Sequence, residues 1–314
     1  MRVLVTGATG FVGSRLVPEL VTAGHEVTVL VRDAATYEPP AGIDASAITV
    51  VEGDLLEPDS LSAEAVAADA AYYLVHSMRA GSDFAERDRR AARTFVDVAD
   101  RAGIDRIVYL GGLGEERDQL STHLRSRREV EAILGGADAS LTTLRAAIVI
   151  GAGSASFDMI RQLASRLPVM ITPRWVHTEC QPIAVDDVLA YLVGILEYPE
   201  TAGETYEIGG PDVLTYADIL RRTAELMGHR LVIVPVPVLT PKLSSYWIGL
   251  VTDVPASVAR PLIVGLRNPV VVRDTRLQEL LQVDRTPFDR AVERALSATD
   301  ADTSTVDAAG DDSE

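Results

Sequence analysis

The chain has 314 residues and a formal net charge of -17, with 46 Asp and Glu against 29 Lys and Arg. That field disfavours nucleic acid as a partner, because phosphate binding calls for clustered Lys and Arg. The single cysteine, Cys180, excludes an intrachain disulfide and any cysteine-built metal cluster.

Residues 2–6 form a short β-branched run that ends in glycine, and residues 11–23 then carry Val12, Leu16 and Leu20 at helical spacing. Strands are predicted at 26–31, 48–52 and 71–75. A long amphipathic helix follows over about 83–102, with Ala91, Phe95 and Val98 on one face. A strand at 106–110, a helix at 120–134 and a strand at 141–150 continue the alternation. This order predicts an α/β fold, a Rossmann-type doubly wound parallel sheet covered on both faces.

Beyond Gly151 the alternation loosens. Helices are predicted over 157–166, from Asp186 as cap to about 196, and from Thr215 as cap through 227, with a short strand at 206–208. Thr286-Pro287 is a start signal for a last helix that ends near Leu296. The acidic, small-residue segment 298–314 is expected to be a disordered tail. The expected organisation is a dinucleotide-binding domain over 1–152, its sheet completed by segments around 180–210. A smaller C-terminal substrate domain is built from 153–180 and 211–297. No internal repeat is visible.

The glycines Gly7, Gly10 and Gly13 fall at spacing G-x-x-G-x-x-G, directly after a predicted strand and opening a predicted helix. A dinucleotide loop needs them so that the backbone can turn tightly and the pyrophosphate can approach it. The helix start then presents free N–H groups and a positive dipole end to that anion. Gly7, Thr9, Gly10, Phe11, Val12 and Gly13 are therefore candidate cofactor contacts.

Cofactor choice is read at the end of the second strand, where an acid bonds the ribose of NAD and an arginine accommodates the extra phosphate of NADP. Arg32 takes the first position there, favouring NADP, and Asp33 beside it keeps NAD open. Asp54 and Leu55 follow the third strand; Asp54 can accept from the adenine amino group, cap the next helix, or do both. Val75, His76 and Ser77 stand at the carboxyl end of the fourth strand, where ligands of open α/β sheets bind. No metal site is expected, since the five histidines are scattered and His177 with Cys180 lacks a third ligand.

With Thr6 to Gly13, Gly53-Asp54-Leu55, Ile107-Val108-Tyr109-Leu110, Val185-Asp186-Asp187-Val188 and Tyr206-Glu207-Ile208-Gly209-Gly210, the sequence resembles the short-chain dehydrogenase/reductase superfamily in its extended and atypical branches. Leu124-Arg125-Ser126-Arg127 looks most like the NAD(P)H-binding group that includes an accessory subunit of respiratory complex I. The resemblance implies a cofactor domain and a C-terminal substrate domain. It also implies a tyrosine and a lysine four residues apart, the tyrosine moving the proton and the lysine lowering its pKa. No tyrosine here is followed four residues later by lysine, and the one lysine, Lys242, lies in the other domain. The matching helix offers His123 and Arg127 instead, and the serine strand end has become Gly111-Gly112.

Two readings follow. In one, the chain is a reductase of a small apolar carbonyl, enone or quinone-like substrate, with His123 or another titratable group as acid and Arg127 holding the ribose or cofactor phosphates. In the other, it is a non-catalytic NADP(H)-binding accessory, assembly or redox-sensing protein. The apolar stretch 233–272, with Tyr246 and Trp247, suits a lipophilic substrate or simply the small domain's own core.

Met1 leads into a strand without a signal-peptide core, and no apolar run is long enough to cross a bilayer, so a cytoplasmic protein is expected. A peripheral membrane or complex association stays open, as does the oligomeric state. An acidic surface poor in lysine suits a halophilic cytoplasm, where salt screens self-repulsion; an ordinary acidic protein is the alternative.

Overall fold

Strands β1 (Arg2–Thr6), β2 (Glu26–Val31), β3 (Ile48–Glu52), β4 (Ala70–Tyr73), β5 (Arg106–Gly112), β6 (Ser140–Ala146) and β11 (Thr205–Ile208) form one sheet in the order β11-β6-β5-β4-β1-β2-β3. Every pairing in it is parallel. The computed structural model describes residues 1–77, 83–114, 122–236 and 269–310. They fall into two units, the first comprising Met1–Ala146, Val188–Ile208 and Val272–Val283.

Parallel strands covered on both faces read as continuous apolar runs, and β4 does so: Ala70, Ala71, Tyr72 and Tyr73 are all fully buried. Alternation sends its two tyrosines to opposite faces. Tyr72 donates to the Leu192 carbonyl at 2.6 Å on one side, and Tyr73 packs on Phe95 and Tyr109 on the other. Phe95 belongs to α2 (Phe84–Ala102), which buries Phe84, Asp88, Ala91, Ala92, Phe95, Val98 and Ala99 and stops at Gly103 in the left-handed conformation. The preceding helix, α1, spans Gly13–Thr22, and α3 (Thr122–Leu134) packs beside α2 and β5. A short helix at Arg276–Leu281, not anticipated from the sequence, lies against β11 and buries Leu277.

The strand expected over 141–150 is two strands. β6 ends at Ala146 between β5 and β11, and β7 (Val149–Ile150) pairs with β10 (Ile183–Ala184) in the second unit. One apolar run feeds two sheets, and periodicity does not reveal where the partner changes.

The second unit holds the described parts of Ala147–Asp187, Gly209–Val271 and Asp284–Glu314. Its helices are α4 (Ala155–Arg166), α6 (Tyr216–Leu226) and α8 (Phe288–Gly310), the helix at Arg276–Leu281 being α7 and Val185–Gly194 being α5. Thr215 caps α6 in a reciprocal capping box with Asp218. Asp186 lies in the first turn of α5 instead of capping it, and pairs with Arg294. β8 (Val169–Pro173), absent from the sequence reading, pairs in parallel with β13 (Val232–Val236), and the two-residue strands β9 (Glu179–Cys180) and β12 (Leu214–Thr215) pair antiparallel.

α8 begins just after Thr286-Pro287, yet its first amide, that of Phe288, donates to Asp212, while the Thr286 N–H and hydroxyl both donate to Asp187. The helix also runs to Gly310, past the end expected near Leu296 and through most of the segment expected to be disordered. Residues 288–309 contain neither proline nor glycine, and buried Phe288, Ala291, Val292 and Ala295 anchor the first turns from which the helix propagates. Lys242, Tyr246 and Trp247 lie outside the described residues, as do 311–314. No helix among the described residues is long and apolar enough to cross a membrane.

Candidate cofactor site

At the end of β1 the Thr6 hydroxyl donates to the Tyr72 carbonyl at 3.0 Å, tying β1 to β4. The chain then turns at Gly7 with φ +73°, a conformation that costs a side chain about 1–2 kcal/mol. A Cβ at Gly7 would stand 2.8 Å from the Leu74 carbonyl oxygen, so this glycine also admits the end of β4. One at Gly13 would run into the Gly7 carbonyl, so the turn closes only on glycine.

α1 opens there with no side-chain cap and no acid in its first turn. Its first N–H groups have no partner within the helix, and its positive dipole end points at whatever sits above the loop. Thr9 and Gly10 are exposed and Phe11 and Val12 half-buried, while Arg15 stacks on the Phe11 ring and donates to its carbonyl. A dinucleotide pyrophosphate fits this cradle: narrow, glycine-lined and uncapped.

β2 and β3 lie on one side of β1. Arg32 is exposed at the end of β2, with no hydrogen-bond or ion-pair partner among the described residues. Asp33 turns onto its own loop, where Oδ1 accepts from the Ala35 N–H at 2.9 Å, and Glu52 accepts from Ala34. Asp54 Oδ1 accepts from the Leu56 N–H at 2.8 Å in a local turn and caps no helix, because the next helical turn, Pro58–Ser60, follows Glu57 and has no side-chain cap; Leu55 is 6% exposed and part of the core.

β4 and β5 lie on the other side. Val75 leans on the core, His76 is exposed, and the Ser77 N–H donates to Asp88 on α2 at 2.7 Å. On α3, His123 and Arg127 are both half-buried and one turn apart. Burial, helped by the Arg127 charge, presses the His123 pKa down to about 3, so the ring is neutral at pH 7. It can donate or accept a hydrogen bond but holds no imidazolium proton to give. The Arg127 carbonyl accepts from Tyr109 at 3.2 Å, fixing this turn of α3 over β5. At Gly112 a Cβ would stand 2.7 Å from the Cδ2 of Leu124 on α3, so a serine there would require that leucine tip to shift.

The fold thus gathers the glycine loop with residues 75–77 at the adjoining ends of β1 and β4. Arg32 and Asp54 sit towards the β3 edge, and His123 and Arg127 on the helix that follows β5. Sequence reasoning missed two supports. Asp88 also accepts from the Ser126 hydroxyl at 3.3 Å. Glu131 accepts from Arg128 and Arg145, and Arg128 in turn holds the Gly114 carbonyl beyond β5. A carboxylate at position 88, within the apolar stripe of α2, was the one visible signal. Among the described residues no group of His, Cys, Asp and Glu could hold a metal ion.

A family model described as NAD(P)H-binding matches residues 7–150. A ceramide reductase of Caulobacter vibrioides is 30% identical over 292 residues, covering 91% of this chain and 86% of that protein. The mitochondrial NADH dehydrogenase (ubiquinone) 1 alpha subcomplex subunit 9 of Arabidopsis thaliana is 27% identical over 230 residues, 71% of this chain and 56% of that one. In fold, a nucleoside-diphosphate-sugar epimerase from Staphylococcus aureus superposes with a TM-score of 0.72 at 14% identity, over 93% of this chain and 100% of that one.

Proposed function

Because the chain belongs to the NAD(P)H-binding family of atypical short-chain dehydrogenases/reductases, we propose that it is an NADP(H)-dependent reductase of a lipophilic carbonyl, enone or quinone-like substrate. The observation that carries the cofactor preference is the pairing at the end of β2. Arg32 is exposed and without a described partner, whereas Asp33 spends an oxygen on its own turn. An unpaired guanidinium suits the 2′-phosphate of NADP, and a carboxylate engaged in its own loop is less suited to the ribose hydroxyls of NAD.

In this reading the N–H groups at 11–13 hold the pyrophosphate, Asp54 receives the adenine amino group on its second oxygen, and Val75, His76 and Ser77 run along the cofactor. The bound nucleotide supplies a hydride. Arg127 holds the ribose side of the cleft and steadies negative charge on the substrate oxygen, but a guanidinium gives up no proton. His123, neutral, serves as a hydrogen-bond partner rather than the acid, and the proton comes from solvent. The lipophilic substrate class draws support from the name of the Caulobacter relative, a ceramide reductase.

A second reading, a cofactor-binding accessory, assembly or redox-sensing protein without turnover, is favoured by the missing Tyr–Lys pair and by the respiratory-subunit relative. NADPH oxidation against long-chain ketones, enones and quinones separates the two. Turnover that Arg127→Ala abolishes supports the reductase, and tight binding with no turnover across the panel supports the accessory protein. Titrating NADPH and NADH against wild type and Arg32→Ala tests cofactor choice. Removal of one phosphate contact should cost NADPH affinity about tenfold and leave NADH unchanged; equal wild-type affinities would refute the NADP preference.

A further inference from the structure

Asp88 is 3% exposed on the apolar face of α2, among Phe84, Ala91, Ala92 and Phe95. A carboxylate in such a place is costly unless its oxygens are satisfied. Both are engaged, and neither partner belongs to α2. Oδ1 accepts the Ser77 N–H at 2.7 Å, and Oδ2 accepts the Ser126 hydroxyl at 3.3 Å. Ser77 closes the segment that leaves β4 beside the glycine loop. Ser126 sits on α3 immediately before Arg127 and three residues after His123. One buried side chain thus joins two segments of the candidate site that are about fifty residues apart in sequence.

We propose that Asp88 is a positioning residue for the cofactor cleft: it pins the backbone at 75–77 to the turn of α3 that carries Arg127, fixing how far apart they stand. The proposal rests on reading those two segments as cofactor contacts. Asp88 itself reaches the cofactor only through its partners. Its carboxylate suits this work because two oxygens accept two bonds in diverging directions, whereas an apolar residue would pack α2 equally well and hold neither segment. The ion pair between Arg89 and Glu129 also links α2 to α3, but it is more exposed and does not reach 75–77.

The experiment measures NADPH and NADH dissociation constants by cofactor fluorescence, together with hydrogen exchange at 73–77 and 122–130. It compares wild type, Asp88→Ala, Asp88→Asn and Ser126→Ala, well below their melting temperatures. Asp88→Ala should bind NADPH at least ~10-fold more weakly and exchange faster in both segments, as loss of a buried charged acceptor predicts. Asp88→Asn keeps one acceptor for Ser77 and offers an amide to the Ser126 oxygen, so it should stay within ~3-fold of wild type. Ser126→Ala, which leaves Ser77 held, should speed exchange at 122–130 alone. A folded Asp88→Ala protein with the wild-type constant, or Asp88→Asn as weak as Asp88→Ala, overturns the proposal. Should Asp88→Ala not fold, unchanged exchange at 122–130 in Ser126→Ala overturns it. A wild type that binds neither nucleotide refutes the cofactor reading instead, and exchange at the two segments in Asp88→Ala then decides the clamp on its own.

Discussion

Gly13→Ala is the sharpest perturbation of the loop. The added Cβ would stand 2.8 Å from the Gly7 carbonyl carbon and 2.9 Å from the Ala8 Cα, and closer still to the Gly7 oxygen. All three are backbone atoms of the turn, so no side chain can swing aside to relieve the clash. The turn must open, at an overpacking cost of about 1–3 kcal/mol. Opening it displaces the N–H groups at 11–13 that face the pyrophosphate, and one charge-assisted hydrogen bond is worth about 1.5–3 kcal/mol. Cofactor affinity should therefore fall by roughly 10- to 150-fold. Gly24→Ala is the matched control at the other end of α1. Its φ of +85° strains an alanine, but nothing lies within 4 Å of the new Cβ. It should lose about 1–2 kcal/mol of stability and leave NADPH binding unchanged. Fluorescence titration with NADPH and urea denaturation of all three proteins read both quantities. Folded Gly13→Ala protein that binds within twofold of wild type, or an equal affinity loss in Gly24→Ala, would refute the reasoning.

Two further outcomes test the electrostatics. Since His123 is neutral in the fold with a pKa near 3 but protonates below about 6.5 when unfolded, its contribution is complete above pH 6.5 and is lost as the pH falls. At pH 5 the loss is about 1–2 kcal/mol after discounting for partial exposure, and denaturation of His123→Gln at pH 7.5 and 5 should show a pH penalty smaller by that amount. His25, lowered in the same direction by burial, remains in both proteins and cancels; identical penalties would exclude the assigned cause. Arg106, 8% exposed, donates to the Ile195 carbonyl at 2.9 Å and to the hydroxyls of Thr142 and Thr201. Arg106→Met fills the volume but removes three buried hydrogen bonds, so stability should drop by about 2–4 kcal/mol and the thermal midpoint by several degrees; an unchanged midpoint would show that the bonds add nothing.

The loop of Gly7, Gly10 and Gly13, the β/α alternation and the capping of α6 by Thr215 were legible because each depends on neighbours within a few positions in the chain. The missing Tyr–Lys pair was legible for the same reason: it is a spacing on one helix. The end of β6 was not, since Ala146 and Val149 differ in which strand lies beside them rather than in polarity. The length of α8 escaped because small acidic composition signals lack of burial, whereas helix continuation needs only an anchored start and no breaker.

Within the candidate site the division is similar. Sequence alone placed an anion cradle on a parallel sheet and put Arg32 ahead of Asp33 at the cofactor-selecting position. Only the tertiary structure pressed His123 into its neutral form and brought Asp88 to both Ser77 and Ser126. Dihedral preferences and periodicity act along the chain, while protonation and the partners of a buried carboxylate depend on which surfaces meet after the helices pack.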